Sequence, residues 1–299
     1  MSWRTVVITG SAKLDFRMGF LSVRKERVTK IHLSEIGVLL IESTAVSVTA
    51  ALLCELMKRK IKVIFCDEKH QPNSELLPYY GAHDTSVKIK RQMGWNSEIK
   101  TLIWTEIVSE KIRRQAALLR KKHKPEAALL ERYLREMKIG DATNREGHAA
   151  KVYFNALFGM DFTRTADNSV NAALNYGYGI LLSVVNREIA ANGYLTQLGL
   201  FHDNMFNPFN LGSDLMEPFR PLVDEAVSRM EPKQFEHEEK MEILALLQEE
   251  VRIAGRKEIL LNAIKIFCKS VFEAINEEDV SLIKFYGDEN SLYESDGIF

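Results

Sequence analysis

The sequence is poor in the residues that build disulfide frameworks and thiolate metal sites. Its 299 residues include only three cysteines, Cys54, Cys66 and Cys268, which are far apart and form no CxxC pair. An odd, scattered set argues against both a disulfide framework and a structural zinc site. We expect the three thiols to act as small apolar residues in a reducing cytoplasm.

Long apolar runs are also missing. The most apolar stretch, near residues 179–185, is far shorter than the ~18–20 residues that span a bilayer. The first ten residues, MSWRTVVITG, lack the basic and apolar parts of a signal peptide. We therefore expect no membrane association.

Several common catalytic motifs are absent from the sequence. It contains no GxxxxGK[ST] loop, no GxGxxG after a strand, no GxSxG and no HExxH. The usual signatures of P-loop nucleotide hydrolysis, dinucleotide binding, serine hydrolysis and zinc proteolysis are thus not there.

The whole chain has almost no net charge, but its N-terminal and C-terminal parts carry opposite charges. The chain has 40 Lys and Arg against 41 Asp and Glu, a net charge of −1. Residues 1–150 carry 27 basic and 17 acidic side chains, whereas residues 201–299 carry 10 basic and 21 acidic ones. Such asymmetry is typical of chains that bind nucleic acid through one region.

The residue pattern predicts an α+β protein. Short segments rich in Val, Ile, Leu and Phe, with one helical segment among them, predict a small N-terminal β domain over residues 1–70. Residues 71–84, QPNSELLPYYGAHD, resemble a linker or hinge. Residues 85–299 predict a larger, all-α domain, with helices near 142–158, 169–191, 214–230, 236–253 and 255–275.

The basic surplus is concentrated in residues 111–124, KIRRQAALLRKKHK, which contain no acid. Lys and Arg on one ridge suit contact with DNA phosphates, whereas a solvated helix end is the plain alternative. The candidate DNA-contacting residues are Arg113, Arg114, Arg120, Lys121, Lys122 and Lys124.

The segment NREGHAAKVYFNALFG places a carboxylate on an apolar helix face. Glu146 shares that face with Ala149, Tyr153 and Leu157 at helical spacing. A carboxylate there normally has a cation, hydrogen-bond donors or a metal beside it. The alternative is a first-turn Glu stabilised by the helix dipole and paired with Arg145.

The segment GLFHDNMFNPFNLGSDLMEPFRP gathers polar side chains between Phe and Leu residues. It contains His202, Asp203, Asp214, Glu217 and Arg220. A capping box of Asp214 and Glu217 would explain both acids structurally. One imidazole with carboxylates instead forms a mixed nitrogen and oxygen site, which suits Mn²⁺ or Mg²⁺ better than zinc.

These segments resemble the CRISPR-associated integrase family, the catalytic subunit of the spacer-acquisition complex (CRISPR-associated protein one). The resemblance also covers IHLSEIGVLLIE, VIFCDEKHQP and NAALNYGYGILLSVV. The segments YYGAHDTS and FHDNMFNPFN are similar to the type II-A version.

The resemblance implies a catalytic, metal-binding triad of Glu146, His202 and Glu217 that holds Mg²⁺ or Mn²⁺. Many relatives have Asp at the last position, so Glu217 is a departure, and Asp214 is a possible additional ligand. The implied reaction is a divalent-metal-dependent transesterification that joins the 3′-OH ends of a captured spacer DNA to the CRISPR repeat.

The implied partners are double-stranded DNA with single-stranded 3′ overhangs and CRISPR repeat DNA. The chain would form a homodimer, and two such dimers would flank a dimer of CRISPR-associated protein two. An RNA-guided effector nuclease and a type II-A accessory protein are further expected partners. Two alternatives stay open at this point: a metal-dependent nuclease of DNA repair that uses water as nucleophile, and a catalytically silent DNA-binding scaffold.

Overall fold

Two four-stranded sheets form the first part of the chain in the computed structural model, which describes residues 4–78 and 82–287. The strands are β1 (Arg4–Ile8), β2 (Ala12–Arg17), β3 (Phe20–Arg24), β4 (Val28–His32), β5 (Ile36–Ile41), β6 (Val46–Val48), β7 (Lys62–Cys66) and β8 (Pro72–Leu76), and helix α1 (Ala50–Lys58) precedes β7.

The first sheet has the order β1-β5-β7-β8. Its strands β1, β5 and β7 are parallel, and β8 runs antiparallel at the edge. All six residues of β5 are buried, as expected for a central strand covered on both faces. The second sheet, β4-β3-β2-β6, is an antiparallel meander with β6 added parallel to β2.

The central strands of the first sheet have two different neighbours. Leu39 and Val63 belong to the core shared with the second sheet and α1, whereas Leu40 and Ile64 belong to the core of the helical region. Because successive side chains of a strand point to opposite faces, the first sheet packs against both of these cores.

The segment predicted as a linker is partly regular structure. Pro72–Leu76 form strand β8, which pairs with β7 and packs against a long helix of the C-terminal region. Residues 79–81 lie outside the described residues, and the domain boundaries stay a prediction.

Helices dominate the rest of the chain. They are α2 (Thr85–Met93), α3 (Ser97–Lys121), α4 (Ala127–Arg135), α5 (Arg145–Phe158), α6 (Ser169–Ala191), α7 (Asn210–Met216), α8 (Arg220–Met230), α9 (His237–Ala245) and α10 (Leu260–Glu277). The long helix α6 packs against α7, α8, α9, α10 and the first sheet, while α3 packs against α4, α5 and α8. No helix within the described ranges is long and apolar enough to cross a membrane.

The α+β class and the order of a β region followed by a helical region are confirmed. The C-terminal region is not all-α, however, because β9 (Glu250–Ile253) and β10 (Arg256–Ile259) form an antiparallel hairpin. The helices predicted over 236–253 and 255–275 are therefore wrong between residues 250 and 259. Ala254 and Gly255 both have positive φ, at 50° and 71°, which suits a tight two-residue hairpin turn.

Candidate active site

Glu146 is fixed at the first turn of α5. Asn144 accepts a hydrogen bond from the backbone N–H of Gly147 and thereby caps the helix. Both carboxylate oxygens of Asp141 accept from the next free donors, the N–H groups of Arg145 and Glu146. A Cβ atom at Gly147 would lie 2.7 Å from Asn144 Oδ1, so the glycine makes room for the cap. The backbone of Glu146 is therefore well held.

Glu217 lies at a break between two helices. The predicted helix over 214–230 is interrupted, since Glu217–Phe219 form a 3-10 turn between α7 and α8. Pro218 and Pro221 explain the break because neither can donate a backbone hydrogen bond. Tyr286 supports the turn: its hydroxyl donates to the Pro218 carbonyl over 3.2 Å, and its ring stacks on Phe219.

The ammonium group of Lys111 brings the two carboxylates together. Lys111 lies in the middle of α3 and is buried. Its Nζ is 2.6 Å from Glu146 Oε1 and 2.5 Å from Glu217 Oε2. Side chains from α3, α5 and the 3-10 turn thus converge at one cation.

The contacts of Arg145 and the position of Asp214 contradict the purely structural explanations that the sequence offered for Glu146 and Glu217. Arg145 pairs with Glu136, so its pairing with Glu146 is wrong. Asp214 lies inside α7, which begins at Asn210, so the capping box of Asp214 and Glu217 is wrong as well. Both glutamates face a shared buried charge cluster.

The electrostatic setting keeps Glu217 ionised. Burial by itself would raise the pKa of Glu217, but the neighbouring charges of Arg220 and Lys111 lower this pKa to about 2. Arg220 donates to Glu217 Oε1 over 2.8 Å, and its guanidinium lies 4.1 Å from the centre of the Tyr178 ring. Burial by itself would lower the pKa of Lys111. The charges of Glu217 and Glu146 outweigh the effect of burial, and the pKa of Lys111 is raised. Glu217 and Lys111 are therefore both ionised near neutral pH.

His202 is oriented by Asp214. The imidazole Nδ1 lies 2.7 Å from Asp214 Oδ1, and the same carboxylate accepts from the backbone N–H groups of Leu200, Phe201 and His202. The hydrogen bond to Asp214 raises the pKa of His202 against the effect of burial, with further contributions from the charges of Glu217 and Glu146. Both oxygens of Asp214 are used in this way, and Nε2 of His202 is left for another partner.

The loop that carries His202 is packed closely. A Cβ atom at Gly199 would lie 2.3 Å from the His202 carbonyl and 2.8 Å from Asp214 Oδ2, so only glycine fits there. Phe201 stacks on Trp104 of α3 with ring centres 4.5 Å apart. These contacts fix the backbone on which the imidazole depends.

A second buried acid lies behind the site. Asp224 on α8 accepts hydrogen bonds from the hydroxyls of Tyr153 and Tyr178. Burial raises its pKa to about 6, although these hydrogen bonds and Arg220 act against the rise. Asp224 was not predicted as a site residue from the sequence.

Lys111 was also not predicted as a site residue, because the sequence placed it in the basic ridge of residues 111–124. Its spacing of four from Ile107 and Gln115 places it on the buried face of α3. That spacing was the available signal.

The donors fit Mg²⁺ or Mn²⁺ in kind, since two carboxylates and one imidazole are suitable ligands. They also fit partly in position, because Glu146 and Glu217 already converge on a cation. Glu217 Oε2 is a buried oxygen that lies beside Lys111 Nζ without hydrogen-bond geometry, so it has unused acceptor capacity. Within residues 4–78 and 82–287, no three His, Cys, Asp or Glu side chains are close enough to hold a metal as they stand. The metal-ligand assignment stays a prediction.

Most cations of the predicted DNA-contacting ridge are paired within the chain. Glu110 binds both Arg113 and Arg114, and Arg114 also donates to the Tyr286 carbonyl. Arg120 pairs with Glu131, Lys121 with Glu225, and Lys122 donates to the Ser228 carbonyl over 3.3 Å. Lys124 is exposed just beyond the end of α3. The ridge is therefore two groups, an inner one held by Glu110 and an outer one at the helix end.

Comparison with known proteins identifies the family. A profile of the family described as CRISPR associated protein Cas1 matches residues 6–259. The CRISPR-associated endonuclease Cas1 of Neisseria meningitidis serogroup C (strain 8013) is 38% identical over 226 residues, which are 75% of this chain and 74% of that protein. The chain belongs to the Cas1 family.

Two solved structures share the Cas1 fold of this chain. A casposase bound to integration product matches with a TM-score of 0.77 at 16% identity, over 94% of this chain and 93% of that one. A chain of a Cas6-RT-Cas1–Cas2 complex matches with a TM-score of 0.73 at 18% identity, over 94% of this chain and 36% of that longer one. At such low identity these two matches establish the fold.

Membership of the Cas1 family confirms the resemblance found in the sequence. The matched residues 6–259 include Lys111, Glu146, His202 and Glu217. Relatives at 38% and 30% identity carry the name CRISPR-associated endonuclease.

Proposed function

We propose that the protein is a divalent-metal-dependent DNA integrase and endonuclease, which joins the 3′-OH ends of a captured spacer DNA to the CRISPR repeat by transesterification. One observation carries the proposal: in a chain of the Cas1 family, Glu146 and Glu217 converge on a single cation beside an oriented histidine. Carboxylates in such a place can hold a divalent cation, which would stabilise the charge that develops on the non-bridging oxygens in phosphoryl transfer.

Glu146, His202 and Glu217 would hold the metal, and Mg²⁺ or Mn²⁺ would supply charge stabilisation at the phosphoryl oxygens. Asp214 contacts Nδ1 of His202 and so leaves Nε2 as the nitrogen that would bind the metal. Arg220 keeps Glu217 ionised and in place. Because the reaction exchanges one phosphodiester for another, it needs no nucleotide as an energy source.

The partners we propose follow from the family. They are double-stranded DNA with single-stranded 3′ overhangs, CRISPR repeat DNA, a second copy of the chain, and a dimer of CRISPR-associated protein two bound by two such homodimers. One structure with this fold is a Cas6-RT-Cas1–Cas2 complex and another is a casposase bound to integration product, which supports CRISPR-associated protein two and DNA as partners. The type II-A features of the sequence add an RNA-guided effector nuclease and an accessory protein as candidates.

A strand-joining assay tests the reaction. The protein is incubated with CRISPR-associated protein two, a duplex with 3′ overhangs and a plasmid that carries the repeat. Glu146→Gln should lower joining at least about 100-fold, because the variant loses one charged oxygen donor. Glu98→Gln is a matched control, since Glu98 also lies in the first turn of a helix but is exposed, and it should join at the original rate.

The assay also separates the alternatives. Joining by Glu146→Gln at the original rate would remove Glu146 from the site. Metal-dependent nicking without any joined product would favour a hydrolytic repair nuclease. DNA binding with neither nicking nor joining would favour the silent scaffold.

A further inference from the structure

Lys111 is an unusual residue to find at this place. Burying a lysine costs several kcal/mol unless the ammonium is well paired, and Lys111 is buried in the middle of α3. Two acids pair with it, and both belong to the proposed metal site. The ion pairs place a fixed positive charge between the two carboxylates that the proposed function assigns to the metal.

The four groups joined by ion pairs around Lys111 balance in charge without a metal. Lys111 and Arg220 carry two positive charges, and Glu146 and Glu217 carry two negative ones. A divalent cation placed between Glu146 and Glu217 would lie close to the ammonium of Lys111, which contacts the same two carboxylates. Repulsion at such distances in a buried setting is large.

The side chain of Lys111 is suited to leave. Its ammonium is held by ion pairs, and its long, flexible stem can stay packed while the head group moves. Arg220 is held differently, because its guanidinium stacks on Tyr178 as well as donating to Glu217. Lys111 is therefore the cation that a metal would displace.

We propose that Lys111 is an internal competitor of the divalent cation, which occupies the place between Glu146 and Glu217 when no metal is bound and withdraws when metal enters. The inference rests on the proposed function, since it takes these carboxylates as metal ligands. It assigns Lys111 two effects: it stabilises the metal-free protein, and it weakens the affinity of the protein for metal.

Direct metal binding by the full chain, without DNA, tests the proposal. Mn²⁺ affinity is measured by calorimetry and by the electron paramagnetic resonance signal of free Mn²⁺. Lys111→Met, which keeps the length of the stem and removes the charge, should bind Mn²⁺ at least about tenfold more tightly than the original chain. Lys111→Arg keeps a cation at the site and should bind no more tightly than the original.

Thermal unfolding supplies a second readout. Without metal, Lys111→Met should have a lower Tm, because two carboxylates lose a shared counter-ion. Saturating Mn²⁺ should then raise its Tm by more than it raises that of the original chain. Lys100→Met, a half-buried lysine near the start of the same helix, should match the original chain in both measurements.

The possible outcomes separate this inference from the proposed function. An Mn²⁺ affinity of Lys111→Met equal to or below that of the original chain would overturn the competitor role. Should Lys111→Met fail to fold, Lys111→Gln, which can donate to a carboxylate, takes its place under the same criterion. Mn²⁺ binding by the original chain that is no stronger than binding by His202→Ala would instead contradict the proposed metal site, and the competitor role with it.

Discussion

Asp214 is a buried carboxylate on α7 that contacts the loop of His202. It was expected as a possible additional ligand, but its two oxygens accept three backbone N–H groups and contact Nδ1 of His202. A carboxylate that holds an imidazole by its second nitrogen orients that ring and tunes its basicity. We therefore interpret Asp214 as a positioning residue for His202.

Asp214→Asn tests this interpretation. The amide has one acceptor oxygen in place of two, so the loop loses support and the imidazole loses its anionic partner. Joining should fall about 10–100-fold, and the raised pKa of His202 should move down towards its ordinary value. The ring resonances of His202, followed by NMR against pH, report this shift, which loss of packing alone would not produce.

Asp203→Asn serves as the control. Asp203 is exposed next to His202, and its amide variant should keep both the joining rate and the His202 titration. An unchanged His202 pKa in Asp214→Asn would show that the carboxylate does not act through the imidazole.

Residue chemistry was only partly predictable from the sequence. Helical spacing placed Glu146 on an apolar face, and the resemblance to the family assigned roles to Glu146, His202 and Glu217. The ion pairs of Lys111 were not predicted, because they join residues 35 and about 100 positions apart, and local spacing carries no information about such contacts.

Helix α3 combines two surfaces along its length. Its middle is buried and supplies Lys111, whereas its last turn carries Arg120 and Lys121, whose side chains are 69% and 71% exposed. Their acidic partners are exposed in part, and such surface pairs contribute little to stability. DNA phosphates could therefore replace Glu131 and Glu225 as partners at small cost.

Neutralising the end of α3 tests its contact with DNA. The triple variant Arg120→Gln, Lys121→Gln, Lys122→Gln should bind DNA more weakly and lower the slope of log affinity against log salt by up to about 3, since each phosphate contact contributes about 0.9. A fluorescence-anisotropy titration at several salt concentrations measures the slope.

The matched control neutralises three exposed lysines elsewhere. Lys257→Gln, Lys265→Gln and Lys269→Gln change the net charge by the same amount on β10 and α10. This variant should keep the original slope. If both triple variants change the slope equally, the end of α3 is not a specific contact surface.

Secondary structure was predictable where length and periodicity were clear. Helix α6 matches its predicted range because apolar residues recur over 23 positions and Asn168 caps its start. The hairpin β9–β10 was missed because its strands have four residues each, and a charged four-residue segment has too little alternation to distinguish it from a helix end.

The stability of the whole molecule should depend on pH through Asp224. Its pKa is raised to about 6 from its ordinary value of 3.8, so between these values the folded chain keeps a proton that the unfolded chain has released. Stability from this group is therefore present at low pH and is lost as the pH rises through about 6. The contribution of Glu217 to stability changes with pH in the opposite direction. Because its pKa is lowered, this contribution is present at higher pH and is lost as the pH falls through about 2.

Asp224→Asn isolates the contribution of Asp224. Between pH 4.5 and 7, the free energy of unfolding of the original chain should fall by about 2 kcal/mol more than that of the variant. Urea unfolding at the two pH values measures this difference. The contribution of Glu217 to the free energy of unfolding cancels in the comparison because both proteins contain this residue. Parallel pH dependence of the two proteins would mean that Asp224 is already ionised in the folded state at pH 4.5.

The contact of Tyr286 beneath the turn of Glu217 bears on how the protein is made. Tyr286 is nearly 70 positions later in the chain than Pro218, whose carbonyl it binds, and Arg114 of α3 lies over the same aromatic ring. During synthesis on the ribosome, both groups must wait for this late segment to emerge before their packing is complete. A nascent chain that stops short of Tyr286 lacks this contact, so the turn that carries Glu217 gains its full packing only after the chain has been made through Tyr286.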